Sequence, residues 1–242
     1  MKIFLAIVCA CLCHFAKCQY TVSGSITDIP TVANTFFANS LGSNRVLYNG
    51  CEYNPTQNKI KGTPYFEGLD FENGNIFYDQ VLCKNVPLMY DLYIDKPITL
   101  HPNKVFKIEL VEGLIEYFTI NNNIFVKIIQ QDSMNSDLKS GFYQLLYNGI
   151  TKVYAKHKVS VTDNRSNDIV TMEYSLSTDY FIQSNSRYHK VSNLRSAYRL
   201  IPQHKKAIKK FLSHNKAAID GSHSKTLVTI AQQHDILTGN AK

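Results

Sequence analysis

The sequence predicts an α+β fold in which an antiparallel β-meander, shaped as a curved sheet or partial barrel, precedes two or three C-terminal helices. Apolar and polar residues alternate with a period of two through most of the middle of the chain. Turn residues interrupt this alternation roughly every 8–12 residues, as in sandwiches and barrels. After Val191 the apolar spacing becomes that of a helix. Strands followed by helices in this order favour the α+β class.

The composition excludes a disordered chain. Of 242 residues, 44% are hydrophobic and 19% are charged, and Tyr (15) and Phe (13) are abundant while Trp is absent. That apolar content is sufficient for a folded core. Beyond the N-terminal segment, no apolar run reaches the ~18 residues that a membrane-spanning helix requires.

The first 18 residues have the features of a signal peptide. Lys2 supplies a basic start, residues 3–16 are apolar, and Ala16-Lys17-Cys18 places small residues at positions −3 and −1 of a cleavage site. We therefore expect a secreted or periplasmic protein whose mature chain begins at about Gln19. A lipid anchor is the less favoured alternative, because the residue before Cys18 is a lysine. Loss of Lys2 and Lys17 lowers the formal net charge from +7 to +5.

The chain is thus divided into a signal peptide (1–18), a β-rich meander domain (19–191) and a C-terminal helical segment packed on the sheet (192–242). In the meander, each alternating run predicts a strand with one face in the core and one face in water. Together the runs predict about nine to eleven strands. The clearest runs are Val86–Ile94, Phe106–Leu110, Lys152–Val161 and Val170–Leu176.

Turn residues separate the predicted strands. Asn-Gly pairs tolerate the positive φ of a type I′ hairpin turn, and three such pairs occur. Further turns are predicted at asparagine- and proline-containing segments. The Asn-Gly pairs are Asn49-Gly50, Asn73-Gly74 and Asn148-Gly149, and the other segments are Asp95-Lys96-Pro97, Asn121-Asn122-Asn123 and Ser184-Asn185-Ser186.

Helical periodicity dominates the last 50 residues. Ser192 is the predicted N-cap of a short helix that ends before Pro202. A second helix is predicted over residues 203–214 and a third, with a weaker apolar stripe, over residues 224–237. In the second helix, apolar residues occupy one side and lysines the other.

Five segments resemble sequences of a known type: Leu47-Tyr48-Asn49-Gly50, Lys61–Phe66, Val86–Asp91, Gly141–Gly149 and Ala155–Lys158. With the lysine-rich C-terminal helix, they are similar to an uncharacterised family of secreted or cell-envelope proteins of Bacteroidota-type bacteria. The resemblance covers about residues 40–235 and implies export, and that family brings no assigned function and no catalytic residues. In outline, a meander of tyrosine-rich hairpins plus helices is also similar to periplasmic lipoprotein carriers, an analogy of fold alone.

Two cysteines remain after removal of the signal peptide. In an oxidising compartment, Cys51 and Cys83 could form one disulfide that closes a loop of about 30 residues. The alternative is two free thiols, which behave as small apolar residues. The sequence leaves both alternatives open, because it contains no distance between the two residues.

Two groups of lysines are candidates for contact with an anionic surface. One group lies on a single face of a predicted strand, and the other lies along the second predicted helix. The alternative is that both faces are simply solvated and limit aggregation. The strand group is Lys152, Lys156 and Lys158, and the helix group is Lys205, Lys206, Lys209 and Lys210.

No catalytic, cofactor or metal site is predicted. The chain has no nucleophile elbow and no glycine-rich phosphate loop, and its C-terminal histidines are too widely spaced for a metal motif. Asp91 and Asp95 are the nearest carboxylate pair, but four residues along a strand separate them by ~13 Å, too far for a glycosidase pair. His157 is expected to be a partly buried strand residue.

Three hypotheses of function follow. The favoured one is a non-enzymatic envelope or extracellular binding protein, whose partner is another envelope protein, an anionic membrane surface or an apolar ligand. The first alternative is a carrier of lipid or another apolar ligand in a half-open barrel, with aromatic residues lining its cavity. The second alternative is a hydrolase of a surface polymer. Nucleic acid is not expected as a partner, because a modest positive charge on an exported protein does not require one.

Overall fold

The computed structural model describes residues 43–55, 60–130, 138–166, 169–215 and 222–239. The predicted signal peptide and the start of the meander domain lie outside these residues. The described chain forms eleven strands and three α-helices, and two short 3₁₀ turns lie at Ser43–Asn49 and Glu112–Leu114. The fold is therefore mostly β with helices at the C-terminus, which confirms the predicted class and strand number.

The strands are numbered in chain order. They are β1 (Cys51–Glu52), β2 (Glu72–Tyr78), β3 (Val81–Asp91), β4 (Lys96–Leu100), β5 (Lys107–Glu109), β6 (Ile115–Ile120), β7 (Asn123–Ile128), β8 (Gly141–Asn148), β9 (Lys152–Ser166), β10 (Ile169–Ser184) and β11 (Arg187–Lys190). The helices are α1 (Leu194–Leu200), α2 (Lys205–His214) and α3 (His223–Gly239).

All eleven strands belong to one antiparallel sheet in the order β1-β5-β4-β3-β2-β6-β7-β8-β9-β10-β11. The sheet is not closed, and its two edges are the short strands β1 and β11. Two meanders compose it, β2 to β5 and β6 to β11, and they join where β2 pairs with β6. The edge strands β1 and β11 are themselves short and expose few unpaired backbone groups.

The sheet curls until its distant strands face each other. Between β3 and β8 lie four strand spacings, or ~19 Å in a flat sheet. Nevertheless the rings of Tyr90 on β3 and Phe142 on β8 have centroids only 6.3 Å apart. The backbone N–H of Val159 on β9 also donates to the carbonyl of Leu92. The predicted partial barrel is therefore present as an open but strongly curved sheet.

Residues 61–66 bridge the opening between β3 and β10. Phe66 donates its backbone N–H to Tyr90, and Leu92 donates to Pro64, both at 2.9 Å. At the other side, Lys61 donates to Met172 and accepts from Tyr174, again at 2.9 Å. This segment thus links the two sides of the curl by one isolated β-bridge on each side and not by a strand ladder.

The helices cover one end of the inner face. Val153 and Val159 lie six residues apart on β9 and therefore on the same side of that strand. Val159 belongs to the core inside the sheet, whereas Val153 packs with the helices, among them Ile208 of α2 and Leu227 of α3. Asp235 fastens α3 to the β8–β9 turn, because its carboxylate accepts from the Thr151 backbone N–H and the Tyr147 hydroxyl at 3.1 Å.

Helix α1 begins one residue later than predicted. Asn193, and not Ser192, is the N-cap, and its side chain accepts from the Ser196 backbone N–H. The Ser196 hydroxyl in turn accepts from the Asn193 backbone N–H, which completes a capping box. None of the helices in the described part of the chain has the length and apolarity needed to cross a membrane.

Strand β3 departs from its prediction in two ways. It ends at Asp91, because the Asp91 carboxylate accepts from the backbone N–H groups of Tyr93 and Ile94 and turns the chain. Its second face is not in water, since Met89 is 2% and Asp91 is 1% exposed. Residues of the preceding segments, Tyr53 and Tyr65, cover this outer face.

The long β9–β10 hairpin extends beyond its neighbours. The two strands pair from Lys152 to Ser166 of β9, whereas β8 pairs only with residues 152–155 and β11 only with residues 181–184. The apolar face predicted for residues 170–176 is consequently exposed, with Val170 at 57% and Leu176 at 62%. A period-two pattern predicts the strand correctly but not how far it projects.

The pair Asn73-Gly74 does not form the predicted turn. It lies inside β2, and the β2–β3 turn is made instead by Asp79 and Gln80, both with positive φ. Glycine is required at position 74 for a different reason. A Cβ atom there would lie 1.9 Å from the backbone oxygen of Thr119 on β6.

Replacement of Gly74 by Ala should therefore destabilise the protein. The β2–β6 pair must move apart to admit the methyl group, and overpacking of this kind costs about 1–3 kcal/mol. Urea unfolding followed by circular dichroism measures the loss. Gly113→Ala is the matched control, because its Cβ would meet no atom within 4 Å. Equal stability of the two variants would contradict the close approach at Gly74.

Candidate functional site

The buried ionisable groups form three clusters along the strongly curved part of the sheet. The first lies where the turn after β3 meets β9. Asp95 accepts hydrogen bonds from the Tyr90 hydroxyl and from the Lys156 ammonium group. Lys156 also donates to the carbonyl of Phe142 at 3.0 Å, and its Nζ lies 5.1 Å from the centroid of the Tyr143 ring.

This first cluster is a structural ion pair. The Lys156 side chain is 6% exposed and that of Asp95 is 31% exposed. Burial lowers the pKa of Lys156 below its ordinary value, while the charge of Asp95 opposes that shift. Burial and the adjacent Asp95 both raise the pKa of the Tyr90 hydroxyl, which remains a neutral donor. The three ionisable groups are therefore bonded to one another, and their polar atoms are used within the seam.

The second cluster surrounds Asp91 on the outer face of β3. The Tyr53 hydroxyl donates to Asp91 at 2.6 Å, and the hydroxyls of Tyr53 and Tyr65 are 3.0 Å apart. The carboxylate also accepts the two backbone N–H groups that end β3. Burial, together with the hydrogen bond to Asp91, raises the pKa of Tyr53. The hydrogen bonds of the Asp91 carboxylate therefore anchor Tyr53 and the turn after β3.

The third cluster contains His157 inside the sheet. Its Nε2 lies 2.7 Å from the Gln144 side-chain oxygen and its Nδ1 lies 3.0 Å from the Thr178 hydroxyl, while the Phe66 ring covers it. Burial and the nearby Lys156 charge lower the pKa of His157 to about 4. The ring is neutral near pH 7 with both nitrogens partnered, as expected for a buried strand histidine.

The two carboxylates that the sequence places nearest each other, Asp91 and Asp95, belong to different clusters. Asp91 and Asp95 each serve a different neighbour, and neither lies beside a second carboxylate in the contacts described above. A glycosidase needs two carboxyl groups facing one bond. Within the described contacts, Asp91 and Asp95 are thus not brought together in that arrangement.

Two histidines meet between the helices. The rings of His204, at the start of α2, and His234 on α3 have centroids 5.1 Å apart. Burial and the proximity of His204 lower the pKa of His234, whose Nδ1 is buried without a hydrogen-bond partner. Among the described residues, no group of three or more His, Cys, Asp or Glu side chains could hold a metal ion.

Cys51 and Cys83 are not joined by a disulfide and lie in different surroundings. Cys51 is exposed on edge strand β1, whereas Cys83 is fully buried in the core inside the sheet. Burial raises the pKa of the Cys83 thiol, so it stays protonated near pH 7. Cys83 thus has the surroundings of a small apolar residue.

The strand group of lysines does not form a row of exposed, unpaired positive charges. Lys156 is buried and paired with Asp95, so it is removed from the predicted contact surface. Lys158 donates to Asp179 at 2.8 Å, and Lys190 pairs with the same carboxylate. Although burial alone raises the pKa of Asp179, these two lysines outweigh it and hold the pKa below its usual range.

The helix group remains exposed as predicted. We call Lys205, Lys206, Lys209 and Lys210 the lysine face of α2, because spacings of i, i+1, i+4 and i+5 place them on one side of a helix. All four are exposed, while Ile208 on the other side is fully buried. The first turn of α2 holds no acidic residue, and the N-cap His204 makes no side-chain capping bond.

This lysine face does not stabilise its own helix. Lys205 and Lys206 lie at the positive end of the helix dipole, where cations are unfavourable. Lys205 and Lys209 are four residues apart, as are Lys206 and Lys210, and like charges at that spacing repel each other. A structural role in α2 therefore does not account for the arrangement.

The sequence did not predict the Tyr90–Asp95–Lys156 cluster. Lys156 and Asp95 are separated by 61 residues, and the alternation in β9 places Lys156 on the predicted polar face. The available signal was weak, because one lysine between Tyr154 and Lys158 does not indicate that another part of the sheet lies against the strand.

Comparisons of the chain with protein families, curated proteins and solved structures found no match.

We expect Asp95→Asn to cost about 3 kcal/mol in the free energy of unfolding, because it leaves the buried Lys156 charge without its counterion. The double variant Asp95→Asn/Lys156→Met should recover most of that loss, since it removes the charge as well. Urea denaturation of both variants measures the difference. A loss below about 1 kcal/mol in the single variant would show that the pair behaves as an exposed one.

The low pKa of His157 predicts acid destabilisation. Between about pH 6.5 and pH 4 the unfolded chain binds a proton at this histidine and the folded chain does not, so the free energy of unfolding falls as pH falls. The full effect is about 3 kcal/mol. Unfolding of His157→Gln, measured from pH 7 to pH 4, should show a shallower slope than wild type. The exposed His214→Gln control should keep the wild-type slope.

Proposed function

We propose that this protein is an exported, non-enzymatic interaction protein that acts through its surface. The observation that carries the proposal is the filling of the curved sheet by aromatic rings. The ring of Phe118 stacks on that of Phe125 at 4.9 Å, and Tyr90 contacts both edge-on at 5.2 and 5.0 Å. Phe142 closes the group at 5.3 Å from Phe118.

These rings occupy the place where a carrier would hold its ligand. All four are at most 1% exposed, so they are buried against one another. Barrels that hold apolar ligands keep an interior wide enough for the guest. A ring-filled interior therefore favours a surface-acting protein over the lipid carrier.

The buried polar groups favour the same conclusion over the hydrolase. Asp91, Asp95 and His157 are each used in hydrogen bonds within the fold, and the first two hold turns and seams. A hydrolytic site needs a nucleophile or base, an orienting partner and donors converging on one open position. No such set forms among the described clusters.

Export is the second half of the proposal. It rests on the basic start, apolar stretch and small residues of positions 1–18, and on the resemblance of the described segments to secreted and envelope proteins of Bacteroidota-type bacteria. An envelope or extracellular setting also agrees with a function by contact, because such proteins meet other envelope proteins and anionic surfaces.

Native mass spectrometry with organic extraction tests the proposal. The chain is expressed with its N-terminal segment, recovered from the periplasm and sprayed without denaturation. We expect a bare protein mass that matches a chain beginning at about Gln19, with no lipid in the extract.

A lipid carrier prepared in the same way serves as the control and must retain its ligand. A discrete additional mass of lipid size on this protein would overturn the surface-acting proposal in favour of the carrier. A mass that retains residues 1–18, with the protein left in the cytoplasm, would overturn export.

A further inference from the structure

We propose that the lysine face of α2 docks the protein onto an anionic phospholipid bilayer. This inference rests on the proposed function and names the partner surface. Its first support is the distribution of charge. Between Tyr180 and Ile219 the sequence has nine Lys and Arg residues and no Asp or Glu, whereas the formal net charge of the whole chain is only +7. The remainder of the chain is thus slightly acidic.

The second support is that no carboxylate of the described residues forms an ion pair with these four lysines. In the described residues, ion pairs occupy lysines of the sheet and its connections, such as Lys96 with Glu109, Lys127 with Glu112 and Lys156 with Asp95. No described carboxylate pairs with any member of the lysine face. The one contact found there is Lys209 with the Tyr198 ring of α1, at 5.2 Å from Nζ to the centroid.

The third support is the neighbouring helix α1, which adds exposed cations beyond the lysine face. Phe211 of α2 is 37% exposed, but it lies about 100° around the helix from Lys210 and therefore on the side of Ile208. Arg195 and Arg199 of α1 are also exposed, and α1 adjoins α2 through the contact between Tyr198 and Lys209. The exposed cations of α1 and α2 thus lie on two adjoining helices.

Phospholipid fits this surface better than nucleic acid does. Binding of single strands uses exposed aromatic rings on which bases stack, whereas the ring in contact with the lysine face, that of Tyr198, is buried. Lysine ammonium groups are point charges without the planar fork that reads bases or binds phosphate in two-pronged fashion. They match the diffuse negative potential of an anionic leaflet, where each nearby lysine strengthens binding by about fivefold.

Helix α2 packs firmly against the sheet. Ile208 is fully buried with residues of β9 and α3, and the carboxylate of Asp235 holds α3 to the β8–β9 turn. Because the apolar side of α2 is used in this packing, α2 contacts the bilayer through its charged side. We therefore expect reversible, salt-sensitive binding and not insertion.

Vesicle sedimentation with the whole exported chain tests the proposal. Vesicles of phosphatidylglycerol and phosphatidylcholine are compared with vesicles of phosphatidylcholine alone, at 0.05 and 0.5 M salt. We expect binding only to the anionic vesicles, and its loss at high salt because the charges are then screened within about 4 Å. Lys205→Gln/Lys206→Gln/Lys209→Gln/Lys210→Gln should bind more than about a hundredfold more weakly.

The matched control removes the same net charge elsewhere. Lys61, Lys84, Lys104 and Lys139 are also exposed, and their replacement by Gln should leave vesicle binding within about twofold of wild type. Circular dichroism confirms that both variants fold, since Gln and Lys have similar helix propensity.

Three results would overturn the docking proposal. They are absence of binding to anionic vesicles, equal loss in the two quadruple variants, and tighter binding to RNA or a sulfated polysaccharide than to the vesicles. If vesicle binding fails but native mass spectrometry gives a bare exported chain, only the docking surface is wrong. If lipid is extracted from the interior, the surface-acting function itself is wrong.

Discussion

The rest of the structure depends on the seam at which the turn after β3 meets β9. Nothing in the hydrogen-bonded order of the strands forces β3 to approach β9, which lies five strands away. The approach is held by aromatic rings in the interior and, at its rim, by Asp95 between Tyr90 and Lys156. Transfer of the Lys156 charge from water is unfavourable, so it is tolerated only where the carboxylate, a carbonyl and a ring are all in place. An alternative curvature would leave that charge unpaired.

The sequence predicts the strands well because alternation is a local property. Val86, Leu88 and Tyr90 are in the core, as their spacing indicates. What alternation cannot predict is which other segments lie against a face. The polar face of β3 is buried by Tyr53 and Tyr65, and the apolar face of β10 is exposed because the β9–β10 hairpin extends beyond β8 and β11.

Turn chemistry shows the same limit at the level of single residues. Asn148 ends β8 and Gly149 begins the turn to β9, as expected, whereas Gly74 is needed inside a strand because β6 comes close. Asp79 and Gln80 form the β2–β3 turn instead; Asp is a usual turn residue, but Gln is not. Of the candidate site, the lysines of α2 were predictable from helical spacing, but the burial of Lys156 requires knowledge of a contact 61 residues away.

Strand β9 connects the seam to helices α2 and α3. Its first residues carry Val153 against α2 and α3, its middle carries Lys156 and His157 at the seam, and its far half projects as the hairpin. Because the helices pack against the beginning of β9 and are fastened to the β8–β9 turn, the lysine face is held in one orientation relative to the sheet. Charges held in one orientation add their attraction to a single flat anionic surface, whereas the same lysines on independent loops would not act together. The unfavourable repulsion within α2 is then the consequence of gathering cations on one rigid side, and a negatively charged surface is the environment that relieves it.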